Sequence, residues 1–220
     1  MRTHTKIGFF FLALILYLFP SFNPAFAEDS KNAKSIDDSV KAFLESHKDQ
    51  WVDWNVPEVD GRVLYDLILK NNFKKAVDIG TSTGHSAIWM AWALSKTGGK
   101  LITIEIDERR YKEALKNFEK AGLSQYIDAR LGDAHELVKE LEGPFDFVFS
   151  DADKGWYTNY FKDIAPKMRV GGCFTAHNMS MAGWNKGVRE FINYVLGRPD
   201  FQTTIDNSSS AGISISYKTR

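Results

Sequence analysis

Apolar positions along the chain fall into two rhythms. Ile36, Val40, Phe43 and Leu44 recur at helical spacing and predict an amphipathic helix over 36–47. Val63, Leu64, Leu67 and Ile68 predict a second helix starting near Pro57, a residue suited to a first helical turn. From residue 76 onward, short apolar runs of strand length alternate with longer stretches of 3.6-residue period. The strands read at 76–79, 100–106, 127–131, 145–150 and 172–176, and the helices at 85–95, 108–121, 134–141, 157–167 and 185–196. Two more strands, 201–205 and 213–217, flank a Ser/Gly-rich loop and read as a closing antiparallel hairpin. Such alternation predicts an α/β fold with a doubly wound, mostly parallel sheet and a ligand at the carboxyl ends of its strands.

The first residues follow a different pattern. Arg2 and Lys6 precede an apolar run over 7–19, prolines follow at 20 and 24, and Ala25-Phe26-Ala27 offers a small-x-small cleavage site. Residues 1–27 therefore read as a secretory signal peptide or, if uncleaved, an N-terminal membrane anchor. The expected location is exported, periplasmic or secreted, or else membrane-anchored. Residues 28–34 are polar and read as a disordered leader within an N-terminal segment, 28–53, ahead of the main domain, 54–220. The 28 basic and 28 acidic side chains cancel, which gives no electrostatic case for nucleic acid or an anionic membrane surface. The one cysteine, Cys173, excludes a disulfide within the chain.

Candidate chemistry concentrates where predicted strands end. Residues 76–86 read Ala-Val-Asp-Ile-Gly-Thr-Ser-Thr-Gly-His-Ser: strand, glycine-bracketed loop, helix. Glycines suit a backbone that lies close to a ligand, and the free amides of the next helix favour a polar group. The spacing fits neither the dinucleotide Gly-x-Gly-x-x-Gly nor a phosphate loop. Asp78, Gly80 and Gly84 instead resemble the first motif of class I S-adenosylmethionine (SAM) methyltransferases. Gly80 to Gly84 also spells Gly-x-Ser-x-Gly, so a serine hydrolase using Ser82, Asp151 and His177 stands as an alternative. Glu105 ends the second strand 25 residues after Gly80, where a nucleotide-binding sheet places the carboxylate for ribose hydroxyls. Asp107 and Asp133 each precede a helix as caps, and Asp133 is also a candidate for an adenine amino group. The fourth strand runs into Asp151-Ala-Asp-Lys154 and the fifth into His177-Asn178. Adjacent strands would gather Asp151, His177 and Asn178 as three candidate ligands for a divalent ion.

Those stretches, with Ile104-Glu-Ile-Asp107, Phe147 to Lys154, Gly171-Gly172 and Gly212-Ile-Ser-Ile, make the chain from about Trp54 onward resemble the cation-dependent O-methyltransferases, the catechol and caffeoyl-CoA group. The resemblance implies a seven-stranded sheet in the order 3-2-1-4-5-7-6 with SAM as cofactor. It also implies a divalent metal, Mn or Mg, beside the methyl donor and a small hydroxylated, catechol-like acceptor; a homodimer is compatible with it. Carried over by position, Asp78, Gly80, Thr81, Gly84, His85, Ser86, Glu105, Asp133, Ala134 and Asp151 would hold the cofactor. Asp151 and Asn178 would hold the metal, and Lys154 would be the base. Where the family has Asp, this chain has His177, which weakens a site for a hard ion; without metal, His177 itself is a candidate base. The segment 179–184 is short, implying an open acceptor pocket. His135 reads as a surface residue, and Trp156, Tyr157, Met179, Met181 and Trp184 as core aromatics and methionines or as a floor for an aromatic acceptor. A SAM-binding protein that has lost catalysis through the His177 change is the other alternative.

Overall fold

The computed structural model describes residues 24–220, with side chains from Ser35. Residues 1–23, which carry most of the export signal read from the sequence, lie outside the described residues. Among the described residues, no helix is long and apolar enough to cross a membrane. Helix α1 (Pro24–His47) includes 28–34, so that stretch is helical and not the disordered leader that its polarity suggested. Its Ile36, Val40 and Phe43 are buried, as the helical spacing predicts.

Pro57, with φ −65° and ψ 158°, introduces α2 (Glu58–Asn71), which ends on Asn72 in the left-handed region. Seven strands then build one sheet: β1 (Lys75–Ile79), β2 (Lys100–Glu105), β3 (Ile127–Leu131), β4 (Phe145–Ser150), β5 (Met168–Ala176), β6 (Phe201–Asp206) and β7 (Ile213–Lys218). Their order is β3-β2-β1-β4-β5-β7-β6, as the resemblance implied. β1, β2, β3, β4 and β5 pair in parallel, while β7 runs antiparallel to both β5 and β6. The connecting helices are α3 (His85–Thr97), α4 (Glu108–Lys120), α5 (Ala134–Glu140), α6 (Tyr157–Ile164) and α7 (Lys186–Leu196).

Helices cover both faces of the sheet, which is why β1 and β4 are buried almost throughout. One core joins Leu64, Ile68, Trp89 and Phe118 to Phe147 and Phe149. The other joins Val138, Tyr157, Phe161 and Phe191 to Val77, Val148 and Phe174. The chain leaves β1 in one direction for β2 and β3 and returns on its other side to β4. That switch point opens a crevice at the carboxyl ends of β1 and β4.

Two boundaries differ from the periodicity for local reasons. β5 starts at Met168, not 172, because its pairing with β4 shifts register between Phe145 and Phe147 and absorbs Gly171 at φ +81°. Helix α6 stops at Ile164, and Pro166 sits in a separate 3₁₀ turn, Ala165–Lys167. A further 3₁₀ turn, Met179–Gly183, lies where the sequence showed only a short connection.

Candidate active site

The crevice is a cavity of about 520 Å³ lined by residues from the ends of β1, β2, β4 and β5 and from the loops after β3 and before α2. Its volume falls within the range of small-molecule sites, about 300–1,000 Å³. Gly80, at φ +105°, brings the loop after β1 against the chain after β4; a Cβ there would lie 2.9 Å from the Ala152 nitrogen and from the Asp151 carbonyl carbon. Gly80 and Thr81 N–H groups both donate to the Ile104 carbonyl at 3.1 Å, pinning the loop to β2. Gly80→Ala therefore meets a strained φ and two backbone atoms; the expected loss is about 1–3 kcal/mol, read as a lower denaturant midpoint with unchanged slope.

Glu105 is 6% exposed and sits on the cavity wall. Its Oε2 accepts from the Ser82 N–H at 2.7 Å and its Oε1 from the Asp107 N–H at 2.9 Å. Each oxygen keeps a further lone pair for a ligand hydroxyl. Asp107 caps α4 by accepting from Arg110 N–H, and Asp133 caps α5 by accepting from His135 N–H at 2.9 Å, while also lining the cavity with Ala134. His135, read from the sequence as a surface residue, lines the cavity too. Its ring stacks on Trp156 at 4.2 Å.

Of the residues expected to hold a cofactor, Gly80, Glu105, Asp133, Ala134 and Asp151 line the cavity; Asp78, Thr81, Gly84, His85 and Ser86 do not. The second group builds the scaffold beneath. Burial pushes the fully enclosed Asp78 carboxyl up to about 8, against the lowering effect of hydrogen bonds from the Thr103 and Ser86 hydroxyls at 3.0 and 3.2 Å. Thr81 pairs with Thr103 at 2.5 Å, and Gly84, at φ +103°, packs on Phe118. His85 turns the other way: Nδ1 meets the Val56 carbonyl at 2.8 Å, Nε2 accepts from Trp89 at 3.0 Å, and Trp51 stacks on the ring at 4.2 Å. Burial lowers its pKa to about 4, so it is a neutral packing residue.

The cavity wall also holds Asp151, Lys154, His177 and Asn178. Lys154 Nζ donates to Asp151 Oδ1 at 2.5 Å. The His177 ring lies between two acids. Nε2 is 2.7 Å from Asp60 Oδ2, while Nδ1 is 3.2 Å from Asp151 Oδ2, an ion-pair distance without the alignment of a hydrogen bond. Burial alone would lower the His177 pKa, but the two carboxylates outweigh it and raise it to about 9. Desolvation likewise opposes ionisation of Asp151, and His177 with Lys154 overcomes it and holds the carboxyl below its usual range. Asp60 thus pairs with Nε2, while Nδ1 has no hydrogen-bond partner. Asn178 follows at φ +61° and lines the wall.

Asp60 went unnoticed in the sequence, yet a signal was there: it occupies the apolar face of α2, four residues before Leu64 and eight before Ile68. Met181 lines the cavity, Tyr157 and Met179 are core, and Trp184 is exposed. The hydrolase reading is not supported by the geometry. Ser82 lines the cavity, but its hydroxyl donates to the Asp53 carbonyl, and both nitrogens of His177 face carboxylates.

A profile of the family described as O-methyltransferase matches residues 28–191. Catechol O-methyltransferase of Niastella koreensis is 42% identical over 127 residues, 56% of this chain and 57% of that protein. Caffeoyl-CoA O-methyltransferase 1 of Eucalyptus globulus is 34% identical over 157 residues, 64% of this chain and 62% of that one. The matches thus span less than two thirds of the length of these relatives. Among solved structures, the O-methyltransferase TomG of Streptomyces achromogenes, in complex with SAM, superposes with a TM-score of 0.73 at 25% identity, covering 83% of this chain and 90% of that one. An O-methyltransferase of Bacillus cereus shares the fold with a TM-score of 0.70 at 24% identity, covering 84% of this chain and 91% of that one. Profile, relatives and fold agree with the crevice built above: the chain belongs to the O-methyltransferase family.

Proposed function

We propose that this protein is a SAM-dependent O-methyltransferase that methylates a hydroxyl of a small, catechol-like aromatic acceptor. The observation that carries the reading is the cavity itself. Its wall holds Gly80, the fixed carboxylate of Glu105, Asp133 and the Asp151–Lys154–His177 group. A nucleoside suits the part where Glu105 offers two oxygens to ribose hydroxyls and Asp133 sits at the α5 N-terminus. Bound there, SAM supplies an electrophilic methyl group on a sulfonium. The chain's own task is to align an acceptor oxygen and favour its anionic form; alignment alone is worth up to about 7–11 kcal/mol. Lys154 is the residue for the second task. Its Nζ donates to Asp151, which holds the side chain where a lysine's positive charge would stabilise an acceptor oxyanion. The names of the relatives, catechol and caffeoyl-CoA O-methyltransferase, support a small hydroxylated aromatic acceptor.

The test is product analysis by mass spectrometry after incubation with SAM and a panel of catechols: transfer of one methyl group to a ring hydroxyl is expected, and SAM binding without turnover on any member argues for a binding protein instead. Glu105→Ala is expected to weaken SAM binding by about 10- to 100-fold. Hydrogen bonds to a charged group contribute about 1.5–3 kcal/mol, and each 1.4 kcal/mol is tenfold. An unchanged Kd would remove Glu105 from the site.

We further propose, from residues 1–27, that the protein is exported or held at a membrane by its N-terminus. Fractionation of cells expressing the full chain should find it outside the cytosolic fraction, and deletion of residues 2–27 should return it there; a cytosolic full-length chain contradicts this.

A further inference from the structure

The segment ahead of α2 is bent against its own residue preferences. Asp53 and Trp54 both sit at positive φ, 71° and 66°, a region that a side chain as bulky as tryptophan seldom adopts. Bonds to two other parts of the chain hold the bend. One oxygen of the Asp53 carboxylate accepts from Arg109 of α4 at 2.5 Å, and the other accepts from Arg110 at 2.7 and 3.1 Å. The Asp53 carbonyl accepts from the Ser82 hydroxyl, and the Asn55 amide donates to the Thr83 hydroxyl at 2.7 Å. Residues 53–55 thus form a strap tied down along the loop after β1. The bonds from Arg110 and Arg109 lower the Asp53 pKa to about 2, so the grip stays ionic at any working pH.

What the strap presents is Trp54. Its indole lines the cavity yet is 81% exposed, so it adds little to the folded core. Strain of this kind persists only where the surroundings over-determine it, and here three side chains, Arg109, Arg110 and Ser82, fix the residue next to the indole. Trp54, Asn55 and Arg110 belong to the cavity wall, whereas Asp53 and Arg109 do not. Resting on the O-methyltransfer reading, we propose that Trp54 covers the bound methyl donor and that Asp53 is the positioning residue that holds it there by gripping Arg109 and Arg110. The donor is the occupant because the strap is anchored on Ser82, whose N–H also fixes the ribose carboxylate of Glu105. A nucleoside offers an indole a flat face on which to stack, and the exposed side chain gains there the burial it lacks in the free chain.

Calorimetric titration of the full chain with SAM, and tryptophan fluorescence of the same samples, test this. Asp53→Asn keeps the shape of the side chain and loses the charge that grips two guanidiniums; it is expected to weaken SAM binding by about tenfold. Arg109→Gln, off the cavity wall, is expected to weaken it by about 2- to 5-fold. Both changes together should weaken it no more than Asp53→Asn alone, because they act through one contact. An unchanged Kd in Asp53→Asn, or effects that multiply in the double variant, overturns the proposal. Trp54 supplies the signature that a merely structural role would not move. SAM should shift the wild-type emission, Trp54→Phe should lose most of that shift, and Asp53→Asn saturated with SAM should show a smaller one. A full shift in Trp54→Phe overturns the proposal, and that variant decides alone if Asp53→Asn does not fold. A folded wild type that binds no SAM sinks the methyltransferase reading; SAM binding that Asp53→Asn leaves unchanged sinks the strap alone.

Discussion

Replacing His177 with alanine is expected to destabilise the protein by about 3–5 kcal/mol at neutral pH, because Asp60 and Asp151 would be left buried without the charge between them. The pH dependence should follow the same logic. The folded-state pKa of His177 is raised to about 9 by its two acids, so its contribution is fully present below the ordinary histidine value near 6.5 and is lost as pH rises through about 9. Wild-type stability should therefore decline over that window, and the alanine variant should lack this part of the decline. Chemical denaturation at pH 6, 7.5 and 9 measures both. A variant as stable as the wild type at pH 6 would mean that the cluster is not the charged group described here.

Lys154→Met is expected to reduce kcat by about 10²- to 10³-fold with little change in SAM affinity, since its assigned task is to stabilise the acceptor oxyanion and not to hold the ribose. The deficit should narrow at pH values above the acceptor's own hydroxyl pKa, where the oxyanion forms without help. A base would give a different profile: its loss would remain when the acceptor is offered as a neutral hydroxyl, but the wild type would lose activity at low pH as the amine protonates. Measuring kcat from pH 6 to 10 for both proteins separates the cation from the base.

Much of this was legible in the sequence because strand ends are where the chain abandons apolar alternation. Gly80, Glu105, Asp133 and Asp151 each stand at or just past the end of a strand, and all four line the cavity. Asp78, Thr81, Gly84, His85 and Ser86, named with them as cofactor residues, lie off the cavity wall, because a glycine-bracketed loop has two sides and the spacing does not say which side a residue faces. Asp78 is enclosed under hydroxyls of Thr103 and Ser86, and His85 is turned toward Trp51 and Trp89. His177 was visible as a departure, but its meaning was not. Its partner Asp60 lies on a helix that precedes the sheet, and no local spacing relates residues 60 and 177. Only the packing of α2 against the sheet brings them together. The boundary errors had local causes as well, a register shift at the start of β5 and a proline after α6.

The most direct test of the central claim is calorimetric titration of the purified full chain with SAM at pH 7.5 in EDTA. One-to-one binding with a Kd in the micromolar to submillimolar range is expected, and Glu105→Ala should weaken it. No binding heat from the folded wild type would contradict the account, because the cavity from Gly80 to Asp151 would then hold something other than the methyl donor.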